Sequence, residues 1–245
     1  MTSLSSDTTV VPEPGLGGCF ETAPRRALGF SARAVVAGLA PAAAAQWEPE
    51  DPQLPELDFA EMRFSVLRRD GQCVYCGWRT STLELDTVTD NHADLAPDIQ
   101  VASDPLCHGY HHLADLGEGN GRITYLPNLD AGDVNHLQRM LMIELYEGDP
   151  EGKRDALDLL NWLGSHSNYT AAAFGTDRPD VFAAVLNRVD PQVRQRRDAA
   201  FAGLSLVYNP RLMHRFVSVW NGEVTTGVPR TRWHAFYQDA MRLTA

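Results

Sequence analysis

The sequence predicts an α+β protein in which a small metal-stapled module precedes a helical half. Three observations predict it. Cysteines and histidines concentrate between residues 73 and 112, at spacings that suit a metal ion. Two segments, "STLELDTV" and "GRITYLP", read as strands on either side of the second ligand group. From Asp130 onward the apolar spacing turns helical.

Residues 1–57 are rich in Ser, Thr, Pro, Gly and Ala, and include an acidic, Pro-rich piece, "QWEPEDPQLPELD". Such a stretch has little apolar periodicity to bury, so it reads as an irregular leader and linker. Within it, residues 28–45 fit a short helix or an extended arm lying on the domain. Cys19 stands alone there. The pair Arg25-Arg26 ahead of a small-residue apolar stretch resembles an export signal, but Arg33 and Pro41 interrupt it and it starts too far into the chain. Structure is expected to begin at Asp58, a helix cap with Glu61 three positions on, and Phe59, Met62 and Val66 follow on one face. The module then spans 58–127.

In the region 128–245 a first helix places Val134, Leu137, Leu141 and Leu145 in one stripe, with Met140 beside it. "EGKRDALDLLNWLGSHS" is a second amphipathic helix. Three or four more are punctuated by Pro179, Pro191, Pro210 and Pro229. The expectation is therefore a helical region packed on the module.

The 245 residues are 44% hydrophobic, enough to bury a sizeable core. The net charge is −11, and Lys153 is the only lysine among 21 basic residues. A chain this acidic repels a phosphate backbone unless a local patch overrides it, and the densest basic cluster, Arg194 to Arg197, reads as a solvated helix face. No nucleic-acid partner is expected. No apolar run approaches the roughly 20 residues of a membrane span, so no direct membrane insertion is expected either.

Cys73-Val-Tyr-Cys76-Gly is a zinc knuckle: two residues between the thiolates let a tight turn aim both sulfurs at one ion. Cys107, in "DPLCHGYHH", supplies a third thiolate. For the fourth ligand His111 is favoured, since imidazole is a commoner partner for thiolates than carboxylate. Asp104, three residues before Cys107, is the alternative, and His108 and His112 stand behind both. The cofactor expected is structural Zn2+.

Knuckle, strand, loop, strand and second knuckle opening a helix resemble the layout of HNH endonucleases. Laid on that pattern without gaps, Asp86-Thr87 falls at the first catalytic pair, Ile99 at the Asn, and Cys107-His108 at the last position. A threonine hydroxyl cannot accept a proton from water near neutral pH, and isoleucine has no polar atom to orient anything. No catalytic residue is therefore assigned. A closer resemblance covers about residues 58–220. "RRDGQCVYCGW", the degraded motif and "GRITYLPNLDAGDVNHLQRMLMIEL" are similar to the IcmJ/DotN family of Dot/Icm-type (type IVB) secretion and conjugation systems, and "FGTDRPDVFAAVLNRV" follows more loosely. That resemblance implies a catalytically silent HNH-like zinc fold. It also implies a cytoplasmic adaptor, recruited to the inner face of the membrane, that clasps the tail of the coupling ATPase among other coupling-complex subunits. This chain departs from the family in its second half-site, where cysteines are denser in the relatives.

Two other readings stand beside that one. One is a metal-dependent HNH-type DNA endonuclease in which His108, with His92 or His112, holds a divalent ion that activates water. The other is a zinc-stabilised module of a different assembly. Trp162, Tyr169, Phe174 and Trp220 are candidate partner contacts, each with core packing as the leading expectation.

Overall fold

The computed structural model describes residues 25–31, 56–89, 96–188, 196 and 199–227. Cys19, His92 and most of the leader lie outside them. The described part of the leader runs extended over the domain: Arg26 N–H donates to Val74 O at 2.9 Å and Ser31 N–H to Tyr110 O at 2.9 Å. Phe30 is buried, its ring stacked 4.9 Å from that of Tyr110.

The first helix, α1, spans Glu56–Asp70 and so starts two residues ahead of the expected Asp58. Its C-terminus is tied down by side chains. Arg69 Nη2 donates to Gln100 O at 2.7 Å, and Asp70 Oδ2 accepts from Ala102 N–H at 2.8 Å. Gly71, at φ 61°, turns the chain from α1 into the knuckle, a conformation that costs glycine little. Strand β1 (Glu84–Thr87) pairs antiparallel with β2 (Gln100–Ser103), Glu84 opposite Ser103 and Thr87 opposite Gln100. All four β2 residues are buried, so its sequence shows no polar–apolar alternation to mark it as a strand.

Helix α2 (Pro105–His111) begins with Pro at its first position and with Asp104 as N-cap, whose Oδ1 accepts from Leu106 N–H at 3.0 Å. After a 3-10 turn at Leu113–Leu116 comes β3 (Gly121–Tyr125). Its partner comes from far along the chain: β4 (Leu204–Tyr208) runs antiparallel to it, Gly121 opposite Tyr208 and Tyr125 opposite Leu204. Among the described residues after 128, helices thus share the region with the strand β4, a correction to the all-helical expectation. "LSLVY" is buried at every position, and it packs as a strand on both faces.

Helix α3 (Ala131–Glu147) is capped by Asp130, which accepts from Gly132 N–H at 2.8 Å, and α4 (Pro150–Ser165) by Asp149. The predicted stripe on α3 holds in part: Val134 and Leu141 are buried against α4, whereas Leu137 is 39% exposed. A second buried face, formed by Asn135, Gln138, Arg139 and Met142, turns toward the centre. Helices α5 (Ser167–Phe174) and α6 (Pro179–Leu186) close over β3 and the 3-10 turn, and α7 (Pro210–Gly227) packs on α3. Leu106, Tyr110, Ile123, Met142, Leu206 and Trp220 centre the main core. Each such side chain contributes on the order of 1.5–3 kcal/mol by leaving water. The architecture is mixed α+β, with two small antiparallel sheets. No helix among the described residues is long and apolar enough to cross a membrane.

Candidate metal centre

The Cys73–Gly77 turn forms as its sequence dictates. Gly77 N–H donates to Cys73 O at 2.9 Å, and Gly77 adopts φ 74°, where a side chain would be strained. Val74 N–H reaches Ala102 O at 3.0 Å and anchors the turn to β2. Cys107 enters from the first turn of α2. The three Sγ atoms lie within 4.8 Å of one another, and all three side chains are fully buried. Polar donors converge on them: Cys76 N–H lies 3.5 Å from Cys73 Sγ, and Asn135 Nδ2 lies 3.3 Å from Cys107 Sγ. Burial raises the Cys107 thiol far above its ordinary pKa. At Cys73 burial pushes the same way but is outweighed by hydrogen bonds from Cys107, from Cys76 and from the backbone of Asp104, which hold it well below. Three thiols packed this closely, with N–H groups aimed at sulfur, form a donor set that fits a metal ion.

The two candidates for a fourth ligand stand outside this trio. Asp104, fully buried, pairs with the fully buried Arg139, Nη2 to Oδ1 at 2.8 Å. The guanidinium lies 4.3 Å from the Trp78 ring centroid and 5.3 Å from that of Trp220, and so joins the knuckle to α7. Asp104 Oδ2 is buried and has no hydrogen-bond partner. Burial lifts the Asp104 carboxyl to about 6, although Arg139 opposes the rise. His111 packs edge-on against Tyr75, and its Nδ1 is 2.6 Å from Asp86 Oδ2.

A second network lies along the other side of α2. Glu84 and Asp86, two apart on β1, project from the same face of the strand toward α2. His108 Nδ1 is 2.7 Å from Glu84 Oε2, and His112 Nδ1 is 3.3 Å from Asp115 Oδ2. Ligand atoms of Asp86, His108 and His112 lie within 4.8 Å of one another. Burial opposes ionisation of Glu84 and Asp86, yet hydrogen bonds from His108 and His111 hold both carboxyls below their ordinary values. Burial disfavours the His108 cation too, but Glu84 and Asp86 raise its pKa overall. His112 is lowered, by burial first and by the neighbouring His108 charge.

Thr87 and Ile99 occupy the positions noted in the sequence. Thr87 is buried with its hydroxyl 3.3 Å from that of Thr89, and Ile99 O accepts from Val88 N–H at 3.0 Å. Of the aromatics singled out, Trp162, Tyr169 and Phe174 are exposed, whereas Trp220 is wholly buried. Sequence reasoning missed Asn135, Gln138 and Arg139, because polar residues on a helix read as its solvated face. Compared with known proteins, the chain matches no family profile and no curated sequence.

Proposed function

We propose that this chain is a non-catalytic, zinc-stabilised adaptor of a type IVB-like secretion or conjugation coupling complex, built on an HNH-like zinc fold. It binds the tail of the coupling ATPase in the cytoplasm and is recruited by that partner to the inner face of the membrane. The observation that carries the reading is Thr87. A buried hydroxyl facing Thr89 stands where a water-activating base would be needed. The thiolate trio supports zinc, which prefers sulfur and nitrogen donors in a closed tetrahedron. Such an ion contributes folding free energy, on the order of 10 kcal/mol of apparent affinity. The family-like "YLPNLDAGDV" forms the end of β3 and the Asp130-capped start of α3. Trp162 and Tyr169, 54% and 55% exposed on α4 and α5, are the partner contacts this reading favours.

This reading takes Asp104 rather than His111 as the fourth zinc ligand, because Asp104 Oδ2 is buried without a hydrogen-bond partner. Asp104→Asn retains a helix cap and should lose zinc by elemental analysis, whereas His111→Asn should keep it; the opposite pair of results would return the position to His111. For the function, the full chain should be retained by an immobilised C-terminal tail of the coupling ATPase encoded near its gene. No binding at micromolar concentrations would overturn the reading. So would plasmid nicking by the pure protein with magnesium or manganese, if lost in His108→Ala, and that outcome would favour the endonuclease.

A further inference from the structure

We infer that helix α3 is the outer shell of the thiolate site, with Asn135 and Arg139 as positioning residues that set how tightly a zinc ion is held there. The first turn of α3 lies against the knuckle: a Cβ at Gly132 would stand 3.4 Å from Cys76 Cβ. Further along the helix, three polar side chains each grip a different part of the site. Asn135 Nδ2 donates to Cys107 Sγ at 3.3 Å, and His136 Nε2 lies 2.9 Å from Cys76 O. Arg139 Nη2 pairs at 2.8 Å with Asp104, the cap of the helix that carries Cys107. Asn135 and Arg139 are four apart, one turn along the same face. Arg139 Nη1 is 3.0 Å from His136 Nδ1, and a guanidinium can only donate. That assigns the tautomer of His136: Nδ1 accepts, and Nε2–H donates to the knuckle carbonyl.

Asn135 and Arg139 are fully buried, and an amide and a guanidinium in a core are costly unless they are paired. What they pair with is the thiolate site. A divalent ion held by three thiolates leaves a net negative charge. A buried N–H on sulfur and a fixed cation nearby both spread that charge, as outer partners of metal ligands do. Gln138 Nε2, 3.4 Å from Asn135 Oδ1, engages the acceptor end of the amide and so turns its N–H group toward sulfur. Arg139 packs against the rings of both Trp78 and Trp220, which holds the guanidinium at Asp104. One helix thus braces both halves of the ligand set, the knuckle through Cys76 O and α2 through Cys107 and Asp104.

This role rests on zinc at the thiolates, as proposed, but on neither the adaptor function nor the identity of the fourth ligand. In the full-length protein, competition with a zinc-chelating dye should show Asn135→Leu and Arg139→Met holding zinc about 10- to 100-fold more weakly than wild type. Arg139→Met also leaves Asp104 without its counter-charge, so Arg139→Lys is measured beside it and should recover part of the affinity. A merely structural role would not move the electronic spectrum of the bound ion. In the Co2+-loaded protein the sulfur-to-metal charge-transfer band should shift to lower energy in Asn135→Leu, because a sulfur that has lost its N–H donor gives up electron density more readily. Wild-type protein loaded with a spin-active cadmium isotope supplies a readout that needs no variant: an Asn135 side-chain amide proton should show scalar coupling to the metal through Cys107 Sγ. Wild-type zinc affinity with an unmoved band in Asn135→Leu, or no such coupling in the wild type, would overturn the role. A wild type that takes up neither zinc nor Co2+ would overturn the zinc reading along with it.

Discussion

Replacing Gln138 by Met tests whether strand β4 depends on one buried side chain. Among the described residues, strand β4 has β3 on one side only. On its other side Gln138, fully buried on α3, donates through Nε2 to Leu206 O at 2.8 Å and accepts through Oε1 from Tyr208 N–H at 2.9 Å. The glutamine amide thereby takes the part of a neighbouring strand. Methionine fills similar volume, so the substitution adds little cavity cost, but it strands one carbonyl and one N–H away from water. Each orphaned group costs about 1–3 kcal/mol, so the loss should be about 2–6 kcal/mol. For a chain of this size, that lowers the thermal midpoint by roughly 4–24 °C at about 2–4 °C per kcal/mol. Urea unfolding followed by tryptophan fluorescence measures it, since Trp220 lies in the same core. Any metal held by the three thiolates should be retained, because Gln138 reaches the sulfurs through Asn135. A Gln138→Met protein within 1 kcal/mol of wild type would refute the account and mean that water takes over both bonds.

Cys107→Ser, like Cys73→Ser, should lose bound zinc and unfold at lower denaturant; the idea of a structural ion fails if both keep the wild-type midpoint with zinc absent by elemental analysis. Gly109→Ala should cost about 1–3 kcal/mol, because its Cβ would press on the Tyr208 hydroxyl and lie 3.0 Å from the ring carbons Cε1 and Cζ; a neutral result in thermal unfolding would show that Tyr208 can move. Glu84→Gln should destabilise most between about pH 4.5 and 6.5. In that window Glu84, held below its ordinary 4.5, is ionised, and His108, held above its ordinary 6.5, is protonated. The pair's contribution is lost as pH falls through the folded Glu84 value and as pH rises through the folded His108 value. Both groups are partly exposed, so the difference should be about 0.5–1 kcal/mol. A deficit constant from about pH 4 to 8.5 in urea titrations would rule the pair out as its source.

How much of this was legible in advance depended on whether the signal was local. Cys73, Cys76 and Cys107 could be read from spacing, because thiolates that share an ion must sit on tight turns. The start of α3 at Asp130 was equally local, marked by the onset of helical apolar spacing. Strand β2 was legible only from the knuckle–strand–loop–strand layout, being buried at all four positions with no alternation to betray it. Strand β4 looked like one more apolar patch among helices, since its partner strand and Gln138 lie far off in the chain. Arg139 was illegible too: a basic residue on an amphipathic helix suggests solvent, and only the folded structure brings Asp104, Trp78 and Trp220 around it. Of the four aromatics for which core packing was the leading expectation, Trp220 is core, whereas Trp162, Tyr169 and Phe174 are exposed. The carboxylate partners of His108 and His111, Glu84 and Asp86, come from β1, and no spacing rule links them.

The pairing of Gly121–Tyr125 with Leu204–Tyr208 has a consequence for biosynthesis. During translation the earlier of these two segments leaves the ribosome long before its mate exists. Until Leu204–Tyr208 has been made it presents an open row of amide and carbonyl groups, the kind of template that recruits stray chains. A fragment cut after the cysteine-bearing half would keep that row uncovered indefinitely. Zinc alone should therefore not make such a fragment well behaved, and expression trials should carry the chain through Gly227.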